Sequence, residues 1–411
     1  MENKYLELTC VKETAAGRGH NDVVIMEQID ENAFRVTEGR IGVRVGRFKP
    51  HSFTKTMEDW DAFLAEKEAH GYIVTKRKKM DRLTIQKGEN GYKEIEDASV
   101  RELVKTLTDM ANQAMEEAYS SSMEDISDEM IDLGKKTVDW LATNYQTASV
   151  EAFNLKLKTL YAAIPRKMDN LSKNLVKSKL EMQDKAAEEQ ELFDLMVDCV
   201  KNAREGKIVE LGQTILEAKG IDIRPVTEAE KSEILKKLGQ NANQYMDAWR
   251  VENHATRKRF EEFCAKEGLT PGHGIDQLFH GSRNENFWSI ITTGLTINPV
   301  GVVITGKAYG NGTYFAPAAV KSLGYTSRCG SKWANGTAAF GFLGIYDVAT
   351  GKRYDGHLGC DGSLCWEKLQ KICPGAHCTY AESRFSGFQM DEVITYRDEQ
   401  SSVKYLVRFR A

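Results

Sequence analysis

His280, Tyr314 and Glu392 stand in settings where a side chain can do chemistry. His280 closes the short extended run "LFH"; Gly281 after it permits close backbone approach, and Ser282 offers a hydroxyl just before a helical pattern begins. Tyr314 follows the tight turn Gly310-Asn311-Gly312, in the extended run Thr313-Tyr314-Phe315, where a ring is either core or a stacking surface. Glu392 opens a strand pattern with Val393 and Ile394, and a carboxylate on an apolar strand needs either solvent or a purpose. Taken singly, His280 reads as an ordinary hydrogen-bonded histidine and Tyr314 as core. Taken together, the three stop looking independent.

The stretch "GVVITGKAYGNGTYFA" just before Tyr314 invites a different reading, because Gly301, Gly306 and Lys307 have phosphate-loop spacing. Ala308 stands where such a loop carries a Ser or Thr for magnesium. Val302, Val303, Ile304 and Thr305 are all β-branched and favour an extended backbone, so the segment reads as a strand.

The chain that must position these residues has 411 of them, with 28% charged, 41% hydrophobic and a net charge of −4. That is ordinary for two or three globular domains, and it excludes a protein that is basic throughout while allowing a local basic patch. No apolar run has membrane-spanning length, and "MENKYLELTC" lacks the regions of a signal peptide. The expectation is an intracellular protein without a membrane partner, in the nucleus of a eukaryote or the cytoplasm or nucleoid of a bacterium. Eight Cys scattered through regular patterns read as reduced thiols. His357, Cys360, Cys365, Cys373, His377 and Cys378 cluster at the loose end of zinc-ligand spacing, and are read as reduced thiols in a long loop with no metal, a structural zinc being the alternative.

The fold class expected is multidomain α+β. Residues 1–88 are mostly strands: Ile41, Val43 and Val45 alternate with Arg40 and Arg44, and a helix with Trp60, Phe63 and Leu64 ends at Gly71. Residues 95–218 are an all-α bundle, opened by a capping box of Ser99 with Glu102 and broken at Pro165. Residues 219–411 mix helices with antiparallel sheet, with a helix capped by Thr227 and Glu230 and strands in "AFGFLGIYDV", "DEVITYRD" and "VKYLVRF". Arg40, Arg44, Arg47 and Lys49 could neutralise phosphates or could be a solvated face, and "KRKK" at 76–79 reads as solvated.

In order and spacing, "FHGSRNENFWSIITTGL", "GKAYGNGTYFAPAAVKSLGYTS" and "DEVITYRDEQSSVKYLVRF" resemble the catalytic domain of the poly(ADP-ribose) polymerases. The resemblance matches that family's His-Tyr-Glu signature to His280, Tyr314 and Glu392. "NLKLKTLYAAIPRKM" and "KLEMQDKAAEE" are similar to the helical regulatory domain of the DNA-dependent members, and "EGRIGVRVGRF" with "FLAEKEAHGYI" to their WGR domain. Glu38 stands where that domain has its naming Trp.

The resemblance implies an enzyme that uses NAD+ as substrate. Glu392 would hold the nicotinamide-ribose hydroxyl and stabilise the oxocarbenium-like charge of glycosyl transfer. His280 would hold the adenosine ribose, with Ser282 beside it; the Gly281 backbone and Ser322 would hold the carboxamide. Tyr314 and Tyr325 would sandwich the nicotinamide, and Lys321 would line the acceptor side. An Arg common in the family after "GL" is replaced by Thr296. The expected activity is DNA-activated synthesis of poly(ADP-ribose) on acceptor proteins, the enzyme included, with DNA strand breaks as partner. Arg40, Arg44, Arg47 and Lys49 would bind that DNA, and Asp184 and Glu188 would obstruct NAD+ until DNA engages. Mono-ADP-ribosyl transfer without DNA control, and an inert DNA-end-binding protein, are the alternatives.

Overall fold

The computed structural model describes residues 4–15, 18–41, 50–77, 92–168, 170–205, 213–297, 308–331, 336–355, 359–386 and 388–411. The strand expected at 301–307, and Val43, Val45, Arg44, Arg47, Lys49 and His357, lie outside them. Contacts divide the chain into two compact units, Met1–Lys87 with Gln113–Lys207, and Gly88–Asn112 with Ile208–Ala411.

The first unit holds an antiparallel sheet of β1 (Tyr5–Glu13), β2 (Gly19–Gln28), β3 (Ala33–Arg40), β4 (His51–Thr56) and β5 (Ile73–Lys76), in the order β4-β3-β2-β1-β5. Alternation along β1 to β3 buries Leu6, Leu8, Val24, Met26, Phe34 and Val36 on one face. Helix α1 (Trp60–Ala69) covers that face with Trp60 and Phe63, and the Phe34 and Trp60 rings meet edge to face at 4.9 Å. Each large side chain buried this way contributes about 1.5–3 kcal/mol. Gly71 ends the helical segment at a positive φ of 83°, as its position in the sequence implies.

Four longer helices follow: α2 (Ala98–Ala118), α3 (Asp128–Asn144), α4 (Val150–Ala163) and α5 (Lys179–Glu205). Ser127 caps α3 and Ser149 caps α4, and Pro165 comes two residues after α4 ends. The cap of α2 differs from the expected one: Asp97 Oδ1 accepts from the N–H of Ser99 and of Val100, at 2.9 and 3.0 Å. Ser99 is engaged elsewhere, since its hydroxyl accepts from the Trp249 indole at 2.9 Å. Within the first unit, the last turn of α4 is tied to the sheet by buried bonds, from Thr9 Oγ1 to the Ala162 carbonyl and from Asn21 Nδ2 to the Tyr161 carbonyl at 2.6 Å.

Helix α5 also carries a half-buried acid, Asp194, which accepts from Gln190 Nε2 at 2.8 Å. Burial pushes its carboxyl up to about 6, with Asp198 and Asp139 adding to the effect and Gln190 and Lys135 opposing it. The folded chain therefore holds this proton more tightly than the unfolded chain, so stability declines as pH rises through about 6 and is flat above it. We expect Asp194→Asn to be more stable than wild type by about 1–3 kcal/mol at neutral pH. In urea titrations the gap should open between pH 4.5 and 6.5 and then level off; a gap independent of pH counts against this account.

The second unit is built on two sheets. Strands β6 (Ile221–Pro225), β7 (Tyr245–Asn253), β8 (Thr270–Pro271), β9 (Gly274–Gly281), β11 (Phe340–Ala349) and β15 (Ser401–Arg410) form one, in the order β6-β7-β15-β11-β9-β8. Strands β10 (Thr313–Phe315), β12 (Arg353–Asp355), β13 (Cys378–Ala381) and β14 (Glu392–Thr395) form the other, in the order β10-β14-β13-β12. A backbone stitch joins the sheets where Phe279 and Ala316 exchange both hydrogen bonds at 2.9 Å. Helix α6 (Ile215–Ala218) precedes β6, and α7 (Glu228–Leu238) starts with the reciprocal Thr227–Glu230 box that its sequence announces. Ile234 and Leu238 of α7 close the core over Phe279, Leu343 and Val407. Helices α8 (His254–Glu267), α9 (Phe287–Thr293), α10 (Ala319–Leu323), α11 (Trp366–Ile372) and α12 (Ser383–Ser386) complete this unit's regular elements among the described residues.

Candidate active site

The stitch between the sheets sets His280 and Tyr314 side by side. His280 follows Phe279 on β9, Tyr314 lies two residues before Ala316, and His280 Nδ1 is 2.9 Å from the Tyr314 carbonyl. A carbonyl can only accept, so Nδ1 carries the proton and Nε2 presents a lone pair. Burial lowers the imidazole pKa, with the Tyr314 bond working the other way, so the ring is neutral at physiological pH. A neutral Nε2 is an acceptor suited to a hydroxyl donor.

Tyr314 is fixed at its other end as well. The Tyr309 N–H donates to its phenol oxygen at 2.9 Å, and the phenol donates to the Gly310 carbonyl at 3.1 Å. That approach depends on the turn: Gly310 has φ +76°, and a Cβ there would lie 2.0 Å from the Leu364 carbonyl oxygen. Burial holds the phenol well above its usual pKa, so it stays protonated.

Glu392 reaches the same neighbourhood through the second sheet. Tyr314 is directly opposite Ile394 on β14, and period-two alternation puts Ile394 and Glu392 on one face. Glu392 is 5% exposed, and its Oε1 lies 2.7 Å from Lys321 Nζ of α10, itself 6% exposed. Burial raises the Glu392 pKa and Lys321 opposes that rise. Lys321 Nζ also lies 5.3 Å from the Phe388 ring and 5.8 Å from the Tyr325 ring. The Tyr325 phenol is pushed up to about 12, by burial first and then by the Glu392 charge.

Gly281 meets α10 so closely that a Cβ would lie 1.9 Å from the Ser322 carbonyl oxygen. Ser322 Oγ donates to the Phe279 carbonyl at 3.0 Å, which leaves its lone pairs as acceptors. Ser282 accepts from Asn286 Nδ2 at 3.0 Å, in the turn that follows. The structure thus gathers His280, Gly281, Tyr314, Lys321, Ser322, Tyr325 and Glu392 around the junction of the two sheets.

Asp184 and Glu188 are exposed on α5 of the first unit, and Glu188 pairs with Lys185 at 3.2 Å. Arg40 is engaged by His20 at 2.9 Å and by Asp22 at 3.6 Å, while Glu38 pairs with Lys67 at 2.6 Å. Cys378 is buried and donates to the Thr350 carbonyl at 3.2 Å, its thiol pushed up to about 12 by burial. His377 Nδ1 accepts from the Lys352 N–H at 3.0 Å. Among the described residues no three His, Cys, Asp or Glu side chains form a metal-holding group.

Two supporting residues escaped the sequence reading. Asn284 joins the loop after β9 to β11 by donating to the Phe340 carbonyl and accepting from the Phe342 N–H, at 3.1 and 3.2 Å. Asp391 accepts from the Ser383 N–H and from the Tyr380 phenol, both at 2.8 Å, which sets where β14 begins. The one available signal for Asp391 is its position beside Glu392.

A family model described as the poly(ADP-ribose) polymerase catalytic domain matches residues 229–358. That match spans His280 through Tyr325 and stops before Glu392. A putative poly(ADP-ribose) polymerase-like protein, 100L of Invertebrate iridescent virus 6, is 34% identical over 133 residues, covering 32% of this chain and 68% of that protein. Poly(ADP-ribose) polymerase 1 of Gallus gallus is 30% identical over 144 residues, covering 33% of this chain and 13% of the relative. Poly(ADP-ribose) polymerase 2 of Homo sapiens is 25% identical over 282 residues, covering 62% of this chain and 45% of the relative.

Proposed function

The chain belongs to the poly(ADP-ribose) polymerase family, and from that premise we propose that it builds poly(ADP-ribose) on acceptor proteins, itself included, in response to DNA strand breaks. The enzyme class that membership carries is NAD+-dependent ADP-ribosyl transfer. The observation supporting elongation is Glu392, a buried carboxylate held 2.7 Å from Lys321 beside the His280–Tyr314 pair.

As the nicotinamide–ribose bond breaks, positive charge develops on the sugar, and a fixed carboxylate in a water-poor site stabilises that charge. Glu392 also accepts a hydrogen bond from an incoming sugar hydroxyl, which raises its nucleophilicity and turns it towards the reacting carbon. His280 receives a hydroxyl of the adenosine ribose on Nε2. Tyr314 and Tyr325 bracket the nicotinamide ring, while the Gly281 backbone and Ser322 fix its carboxamide, with Ser282 near the adenosine side. Residues 1–88 act as a WGR-like DNA-binding region through Arg40, Arg44, Arg47 and Lys49. Residues 95–218 act as a regulatory region in which Asp184 and Glu188 hinder NAD+ until DNA shifts the population to the open form. Residues 219–411 are the catalytic region.

A second reading, mono-ADP-ribosyl transfer without DNA control, draws support from Arg40, whose guanidinium is engaged by His20 and Asp22, and from Glu38 in the place of the WGR tryptophan. Incubation with labelled NAD+, with and without broken DNA, separates the two. A high-mass smear that intensifies at least tenfold with DNA is expected; a discrete shift, equal with and without DNA, favours the second reading and removes the first.

A further inference from the structure

We propose that Tyr346 belongs to the nucleotide site, its hydroxyl donating a hydrogen bond to the sugar that His280 holds; this rests on the assignment of His280 to that site. Tyr346 lies on β11, 2% exposed, and its hydroxyl has no hydrogen-bond partner among the described residues. A buried hydroxyl without a partner destabilises a fold, and replacing it with hydrogen of the same shape is neutral or stabilising. A fold gains nothing from keeping this oxygen, so the reason for it lies in what the site binds.

The register of the sheet says where that oxygen is. Gly344 of β11 is directly opposite His280 of β9, and the Tyr346 ring lies back over Gly344. A Cβ at Gly344 would stand 2.3 Å from the ring and 3.1 Å from the phenol oxygen, so glycine makes the room in which the phenol sits. Opposed Cβ positions in antiparallel strands are about 5 Å apart, which keeps the Tyr346 phenol on the face of the sheet that carries the His280 imidazole. The rings of Tyr346 and His280 meet edge to face at 6.0 Å, and those of Tyr346 and Phe315 at 5.6 Å. Burial raises the phenol pKa, so the group is a donor throughout the working range. A ribose presents adjacent hydroxyls: one donates to His280 Nε2, and the oxygen of its neighbour accepts from Tyr346.

Steady-state kinetics of the full chain with NAD+, together with melting curves, test this on Tyr346→Phe and His280→Ala. For Tyr346→Phe the expected result is a KM for NAD+ raised about 3- to 10-fold, with kcat within twofold and a melting temperature unchanged or higher. An unchanged KM overturns the proposal, because the hydroxyl then serves an internal water or nothing at all. A fall in kcat at constant KM, or any loss of melting temperature, overturns it too, the first by moving the effect to the chemical step and the second by revealing an internal bond. If His280→Ala keeps the wild-type KM, the nucleotide-site assignment itself fails, a result distinguishable from failure of Tyr346 alone.

Discussion

Glu392→Gln should lower NAD+ turnover about 100- to 1000-fold and abolish polymer, leaving residual NAD+ hydrolysis or single-unit transfer. The substitution keeps an oxygen for Lys321 to bond at the 2.7 Å position, so the local fold is retained while the negative charge is removed. About 3–4 kcal/mol of transition-state stabilisation goes with that charge, in a site where burial keeps water from replacing it. The same group sets an acid limb. Because burial raises the Glu392 pKa above its ordinary value, the wild-type rate should fall as pH drops through that raised value, and the Gln variant should show no such limb. Nicotinamide release measured from pH 4.5 to 8, with gels of the automodified product, reads both effects. Polymer of normal length from the variant would sink the assignment.

Gly281→Ala should disable the enzyme through its backbone. The added methyl would stand 1.9 Å from the Ser322 carbonyl oxygen, a main-chain atom with no rotamer to retreat into. Helix α10 must shift, and it carries Lys321 and Ser322, so the Glu392 ion pair and the Ser322–Phe279 bond are both disturbed. Overpacking of this kind costs about 2–3 kcal/mol, equivalent to a melting temperature roughly 5–10 °C lower in a unit of this size. Activity should fall more than tenfold even well below the transition. Thermal denaturation and initial rates at 20 °C check this, and a variant with wild-type melting and wild-type rate would refute the close approach.

How much of this could be read beforehand depends on the range of the interaction involved. Local patterns carried Thr227 with Glu230 at the head of α7, the strand after the Gly310–Gly312 turn, and Gly71 at its helix end, because each is decided within a few residues. The head of α2 was misplaced, since Ser99 looks like a cap until an indole 150 residues away claims its hydroxyl. The Lys321–Glu392 pair, the Gly281–Ser322 approach and the Tyr346 hydroxyl over Gly344 are all consequences of which strands lie side by side. Nothing in a one-dimensional pattern encodes that adjacency, so the residues resembling a known signature could be named, while the groups holding them in place could not.

Tyr314 is restrained at both ends, its carbonyl by the imidazole and its phenol by the Tyr309 N–H and the Gly310 carbonyl. A ring tethered this way cannot swivel to admit a thicker guest. Competitive inhibitors of this enzyme should therefore be flat heteroaromatics, and a series in which planar members are progressively puckered by saturation should lose affinity abruptly rather than by degrees.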